Sequence, residues 1–117
     1  MAEFAGKRIL IVEDEALIAM SLEAMLESLG CVVIGSASSL EKGLENARSM
    51  ELDAAVLDVN LRGIRSDPIA RELSERGMPF ILATGYGAEF RTDSESPVLE
   101  KPYQREQLAA ALRKLFP

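Results

Sequence analysis

The stretch RILIVEDEA, residues 8–16, shows how the chain begins to fold. Four apolar residues, 9–12, run directly into three acids, Glu13, Asp14 and Glu15. An apolar run of this length, bounded by charge, predicts a buried strand over residues 8–12. Acids this close together repel one another, and more strongly where they are partly buried, so something must compensate for them. The N-terminus of a following helix could do so, and so could a bound cation.

Short apolar segments alternate with helix-like segments along the rest of the chain. Further strands are predicted at residues 31–35, 54–58, 79–83 and about 97–99. Helices are predicted at residues 15–29, after an N-cap at Ser39, after an N-cap at Asp67 followed by Pro68, and at about 104–116. Such alternation is typical of right-handed βαβ units. We therefore predict an α/β fold: a doubly wound, five-stranded parallel sheet of the flavodoxin-like (βα)5 type, with strand order 2-1-3-4-5.

The composition sets limits on domain number, location and partners. A chain of 117 residues suits one domain, residues 1–117, with its core at about 7–117. The net charge of -6 argues against a nucleic-acid-binding domain. No apolar run is long enough to span a membrane, the N-terminus does not resemble a signal peptide, and the only cysteine, Cys31, has no partner for an internal disulfide. We expect a cytoplasmic protein in which Cys31 is an inert core residue.

The sequence contains no histidine. This excludes a Ser-His-Asp triad, a Cys-His pair, histidine metal ligands and a phosphohistidine on this chain. The side-chain ligands of any bound metal should therefore be oxygens, which favours a hard cation such as Mg²⁺.

Polar residues follow the predicted strands. Glu13 and Asp14 end the first, Asp58 the third and Thr84 the fourth, while Lys101 follows the fifth. In a parallel sheet these ends converge on one edge, where binding sites form. Three carboxylates favour Mg²⁺, and a lysine and a hydroxyl suit a phosphoryl group. Because an aspartate can act as a nucleophile, the set predicts a phosphoryl site that forms an aspartyl phosphate.

The motifs IVEDE, LDVN, ATG and EKP, in this order at the strand ends, resemble the receiver domain of bacterial response regulators, of the chemotaxis-regulator type. The resemblance covers about residues 7–117. It implies that Asp58 is the phosphoacceptor, and that Thr84 and Lys101 contact the phosphoryl group. It also implies that Glu13, Asp14, Asp58 and the backbone carbonyl of Asn60 hold Mg²⁺, and that the Lys101–Pro102 peptide is cis.

The stretch PFILATGYG, residues 79–87, resembles a subgroup of single-domain alphaproteobacterial receivers with a Phe-Ala-Thr-Gly-x-Tyr signature. Here Leu82 replaces the phenylalanine of the signature. Val98 stands where the usual receiver has an aromatic switch residue, and the sequence leaves open whether Tyr86 or Tyr103 takes its place. The polar segment 87–96 is the predicted moving part of the switch.

By this resemblance the chain is a signalling domain and not an enzyme, although it assists its own phosphorylation and dephosphorylation. The expected partners are a sensor histidine kinase or a histidine phosphotransfer protein and a downstream protein target, since no output domain is recognised in this sequence. A homodimer stays open. The alternative is a degenerate receiver that acts as a docking module independent of phosphorylation.

Overall fold

A computed structural model of the chain describes residues 3–85 and 96–117. In chain order these residues form β1 (Arg8–Val12), α1 (Ala16–Ser28), β2 (Val32–Ala37), α2 (Leu40–Ser49), β3 (Ala54–Asp58), β4 (Asn60–Leu61), β5 (Ile64–Arg65), α3 (Asp67–Glu75), β6 (Phe80–Thr84), β7 (Val98–Glu100) and α4 (Arg105–Leu115). Within these two ranges, no helix has both the length and the apolar character that a membrane span requires.

Five of the strands form one parallel sheet in the order β2-β1-β3-β6-β7. With the two short strands β4 and β5 set aside, this is the predicted order 2-1-3-4-5, and the predicted α/β fold is confirmed. The carboxyl ends of β1, β3, β6 and β7 lie along one edge of this sheet. Tyr86 and the polar segment 87–96, apart from Ser96, lie outside the described residues, so the prediction of a moving segment there stays a prediction.

The position of the central strands in the sheet explains why their sequences are continuously apolar. Every residue of β3 and β6 is buried, because helices cover both faces of the sheet. Alternate residues of β1 point to opposite faces: Ile9 and Ile11 pack in the layer with α1 and α4, while Leu10 and Val12 pack in the layer with α2 and α3. A strand that supplies two cores at once must be apolar at every position.

The helix ends show which local predictions were correct. Gly30, which follows α1, has a φ of 92°, the left-handed conformation that commonly ends a helix. The Ser39 side chain caps α2 by accepting a hydrogen bond from the Lys42 N–H. The predicted N-cap at Asp67 is wrong by one residue, because Ser66 holds that position and Asp67 is the first residue of α3.

A small hairpin after β3 was not predicted. Strands β4 and β5 pair antiparallel and are joined by Arg62 and Gly63, which have φ values of 54° and 87°. Positive φ at both central residues is the geometry of a tight type I′ turn. The Asn60 Oδ1 accepts a hydrogen bond of 2.6 Å from the Gly63 N–H and so supports the turn. The hairpin follows Asp58 closely and therefore lies beside the predicted site.

Candidate phosphoryl and metal site

The acids of the opening stretch occupy the connection between β1 and α1. The Glu13 N–H donates to the Ala37 carbonyl at 2.9 Å, which extends the pairing of β1 with β2 by one residue. The Glu13 Oε2 then accepts a hydrogen bond of 3.0 Å from the Glu15 N–H, just before α1 begins. The positive end of that helix therefore stabilises part of the negative charge. The Glu13 side chain is 2% exposed and that of Asp14 is 12% exposed.

Asp58 is the last residue of β3, and its surroundings hold it firmly. Its Oδ1 accepts a hydrogen bond of 3.1 Å from the Asn60 N–H. The hydroxyl of the buried Ser66 donates to the main-chain carbonyls of Asp58 and Val59. The backbone on both sides of the carboxylate is thus bonded to the hairpin and to the start of α3. An aspartate held in this way presents its carboxylate in one orientation.

Lys101 connects two of the acids. Its Nζ lies 2.6 Å from the Glu13 Oε1 and 2.7 Å from the Asp58 Oδ2. Its backbone N–H donates to the Thr84 carbonyl at 2.7 Å, which aligns β7 with the end of β6. The Lys101–Pro102 peptide is cis, as the resemblance implied. The ammonium is thus placed by sheet pairing as well as by its own ion pairs.

Burial and charge act on the site in opposite directions. Burial raises the pKa of Glu13 to about 7, although hydrogen bonds from Lys101 and the Glu15 N–H lower it. Burial disfavours the charged form of Lys101, but hydrogen bonds to Asp58 and Glu13 outweigh it and raise the pKa of Lys101. The Lys101 ammonium therefore stays protonated, while the three carboxylates of the site outnumber it.

The three carboxylates form a compact group. Glu13, Asp14 and Asp58 each offer an oxygen, and these oxygens lie within 4.8 Å of one another. Three carboxylates paired with one buried lysine leave negative charge that a divalent cation would neutralise. An all-oxygen donor set fits Mg²⁺, which keeps several water ligands and prefers carboxylate oxygens. The residues present therefore fit a magnesium site.

The other predicted site residues lie around this group. Thr84 is buried at the end of β6, next to β3 in the sheet. Asn60 begins the hairpin, and its side-chain Oδ1 is occupied by the hydrogen bond from the Gly63 N–H. Its main-chain carbonyl is the oxygen that the resemblance assigns to the metal. Val98 is half-exposed on β7, which pairs with β6.

Tyr103 comes two residues after Lys101 in the chain. Both line a cavity of about 410 Å³ next to α1. Within residues 3–85 and 96–117, the Tyr103 hydroxyl is the one buried side-chain polar atom without a hydrogen-bond partner. Burial, with the negative charge of Glu13 nearby, raises the pKa of Tyr103 to about 12. The hydroxyl is therefore a neutral group that lacks a partner in this conformation.

Sequence reasoning missed Arg62. Its Nε lies 3.8 Å from the Asp14 Oδ2, so a second cation reaches the acid cluster. The sequence signal was the hairpin: an asparagine three residues before a glycine, in NLRG, is typical of a tight turn. Such a turn brings Arg62 back over the site, but residue spacing alone does not reveal which acid it meets.

Comparison with known proteins agrees with this geometry. The family model described as the response regulator receiver domain matches residues 9–113. The chain belongs to the response regulator receiver family. Receiver domains are signalling modules, so the predicted two-component function class is confirmed, and the acid cluster occupies the strand edge where that class was expected to place it.

Individual relatives support the same conclusion. The receiver domain is 35% identical to the phyllosphere-induced regulator PhyR of Methylorubrum extorquens over 96% of this chain and 44% of that protein. The chain thus spans about half the length of the curated relatives it matches. It also resembles the solution structure of SdrG from Sphingomonas melonis Fr1, with 41% identity, a TM-score of 0.85 and coverage of 96% and 98% of the two chains.

The names of two solved structures of relatives mention a bound group, BeF3 in one and a magnesium ion in the other. One is a BeF3-activated conformation of SdrG from Pseudomonas melonis Fr1, with 41% identity, a TM-score of 0.79 and coverage of 97% and 98% of the two chains. The other is the receiver domain of the sensor histidine kinase PA1611 from Pseudomonas aeruginosa PAO1, with a magnesium ion in its active-site cleft. It is 27% identical, with a TM-score of 0.81 and coverage of 95% and 98%.

Proposed function

We propose that this receiver domain is the phosphoacceptor of a two-component phosphorelay, with Asp58 as the phosphorylated residue. The observation that carries the proposal is the set of contacts at Asp58. Its carboxylate is buried, is bonded to Lys101 at 2.7 Å, and lies within 4.8 Å of two further carboxylates. We propose as donor a phosphohistidine on a partner sensor kinase or phosphotransfer protein, since these 117 residues contain no histidine that could carry the phosphoryl group.

Mg²⁺ is part of this proposal. We assign Glu13, Asp14, Asp58 and the main-chain carbonyl of Asn60 as the residues that would hold it. The magnesium ion named in the PA1611 receiver structure supports this assignment. When bound, the metal supplies positive charge that offsets the phosphoryl oxygens during transfer.

The chain's own residues would carry out the remaining steps. An Asp58 carboxylate oxygen attacks phosphorus in line, while the phosphorus–nitrogen bond to the donor imidazole breaks and its electron pair stays on the nitrogen. The Lys101 ammonium, already 2.7 Å from Asp58, moves its contact to a phosphoryl oxygen. The Thr84 hydroxyl donates to another phosphoryl oxygen from the end of the neighbouring strand. Hydrolysis at the same site later restores the carboxylate.

The output of the domain is a change in protein binding. Phosphorylation adds negative charge at the sheet edge, and a shift of Thr84 and the chain that follows it would favour a second conformation. We propose that this conformation binds a downstream protein in the cytoplasm, with residues 1–117 acting as one domain. A second copy of the chain is the other candidate partner for this face.

The test uses beryllium fluoride, which mimics an aspartyl-bound phosphoryl group. The melting temperatures of the wild type and the Asp58→Asn variant are measured with Mg²⁺, with and without beryllium fluoride. A ligand that binds only the native state adds to the free energy of unfolding, by about 2.7 kcal/mol at a concentration of 100 times its dissociation constant, and so raises the melting temperature. We expect a rise in the wild type that needs Mg²⁺ and is absent in the variant.

The alternative outcome has its own meaning. If both proteins are folded and neither is stabilised, the domain is a docking module independent of phosphorylation, and the proposed role of Asp58 is wrong. Stabilisation of both to the same extent would also contradict the proposal, because the ligand would then bind without the Asp58 carboxylate. The BeF3-activated structure of the SdrG relative supports the expected result, stabilisation of the wild type by beryllium fluoride.

A further inference from the structure

The tip of the hairpin carries an unusual backbone conformation. Arg62 has a φ of 54° and, within the part of the chain that the structure describes, is the only residue other than glycine with a positive φ. The left-handed region disfavours most side chains, and asparagine or glycine would fit it better. The backbone alone therefore does not favour arginine at this turn, which directs attention to the contacts of its side chain.

The Arg62 side chain extends toward the acid cluster. Its Nε lies 3.8 Å from the Asp14 Oδ2, and its Nη2 donates to the Asp14 main-chain carbonyl at 3.4 Å. The Arg62 side chain is 76% exposed, whereas the Asp14 side chain is only 12% exposed. A solvated cation thus rests against a mostly buried anion, where it can leave into water at little cost.

The charges of the site divide between two cations. Lys101 bonds to Glu13 and Asp58. Arg62 contacts Asp14, the carboxylate of the cluster to which Lys101 has no described ion pair. Two cations therefore balance part of the charge of three carboxylates in the metal-free site. Of these two, Arg62 is far more exposed than Lys101, whose side chain is 15% exposed.

We propose that Arg62 is a built-in counterion of Asp14 that a divalent cation must displace, so that it lowers the metal affinity of the site. The inference rests on the proposed function, because it takes Glu13, Asp14 and Asp58 as the metal ligands. The guanidinium and a metal compete for the same carboxylate and also repel each other. Metal binding consequently releases Arg62 into solvent.

The test compares Mg²⁺ dissociation constants by isothermal titration calorimetry at low ionic strength. The main variant is Arg62→Asn, which removes the charge and keeps a residue that tolerates the left-handed turn. We expect it to bind Mg²⁺ about two- to fivefold more tightly than the wild type, the range for loss of one exposed ion pair. Arg62→Lys, which keeps the charge, should lie between the two, and the difference should shrink in high salt.

Arg65→Asn is the matched control. Arg65 lies on the same hairpin and loses the same charge, but its guanidinium pairs with Asp67 at 3.0 Å. If both variants bind Mg²⁺ more tightly by the same factor, the effect comes only from the change in net charge, and the specific role of Arg62 is wrong. Arg62→Gly, unstrained at the same φ, repeats the measurement should the asparagine variant fold poorly.

The outcomes separate this inference from the proposed function. If the wild type binds Mg²⁺ and the folded Arg62→Asn variant binds it equally or more weakly, the counterion role is wrong while the metal site stands. If the wild type binds no Mg²⁺, both are wrong. Tighter binding in Arg62→Asn, beyond that in Arg65→Asn, supports the inference.

Discussion

Replacement of Lys101 by methionine tests the electrostatic reading of the site most directly. The lysine side chain is 15% exposed, and its ammonium lies 2.6 Å from Glu13 and 2.7 Å from Asp58. Methionine keeps the length and the apolar stem but removes the charge. The variant leaves three neighbouring carboxylates without the cation that bonds to two of them, so we expect the metal-free protein to be strongly destabilised.

The magnitude follows from this burial. Removal of one partner of a buried ion pair costs about 3–5 kcal/mol. We expect the lower end, about 3 kcal/mol, because the Asp14 side chain is 12% exposed and the lysine itself 15%, so water can solvate part of the charge that the variant leaves unpaired. In a domain of this size that loss lowers the melting temperature by about 12 °C. Mg²⁺ should restore part of the stability, and should raise the melting temperature of the variant more than that of the wild type.

Urea unfolding gives the loss of stability, and thermal melting with and without Mg²⁺ gives the response to the metal, both at pH 8. The control is Lys42→Met, because the one ion pair of Lys42 within the described residues is an exposed contact with Glu45, and its loss should cost less than about 1 kcal/mol. A cost for Lys101→Met as small as that of the control would refute the reasoning. So would an equal response of the variant and the wild type to Mg²⁺.

Three further predictions concern the core and the surface. Gly43→Ala should fail to gain the roughly 1 kcal/mol that alanine usually adds over glycine in a helix, because an added Cβ would lie 2.5 Å from an Ile69 methyl; a gain of that size in urea unfolding would contradict the packing. Burial raises the pKa of Cys31 to about 11, so a thiol reagent at pH 8 should label it only as fast as the protein opens, and immediate labelling would be inconsistent with this. Hydrogen bonds from Arg8 lower the pKa of Asp53, so this group stabilises the fold above about pH 4 and the benefit is lost on acidification. The stability difference from Asp53→Asn should accordingly narrow below about pH 4, and a constant difference in acid unfolding would argue against the interaction.

Local features of the sequence were sufficient where one residue type decides the structure. Ser39 caps α2 through its own hydroxyl, and Gly30 takes the positive φ that ends α1. The prediction at Asp67 failed because Ser66 has a tertiary role. Its carbonyl accepts from the Ala70 N–H at the start of α3, while its buried hydroxyl bonds to the carbonyls of Asp58 and Val59 and not to the helix backbone. A capping pattern does not reveal which long-range carbonyl a hydroxyl will meet.

The site shows the same division. The convergence of Glu13, Asp14, Asp58 and Lys101 was predictable, because parallel strands align their carboxyl ends at one edge. The way in which Lys101 and Arg62 divide the three carboxylates between them was not predictable. It depends on a two-residue turn with positive φ at both positions, for which arginine is an unusual choice.

The sequence by itself determined the alternation of strands and helices and the set of residues at the sheet edge, because apolar periodicity and strand ends are local properties of the chain; the strand order followed from the known doubly wound pattern that such alternation favours. The acids of RILIVEDEA raised the question of what compensates for them. Only the tertiary structure answered it, since Lys101 comes from the far end of the chain and Arg62 from a hairpin outside the main sheet. Ion pairs between distant segments depend on distances of a few ångströms, and those distances exist only once the sheet has formed.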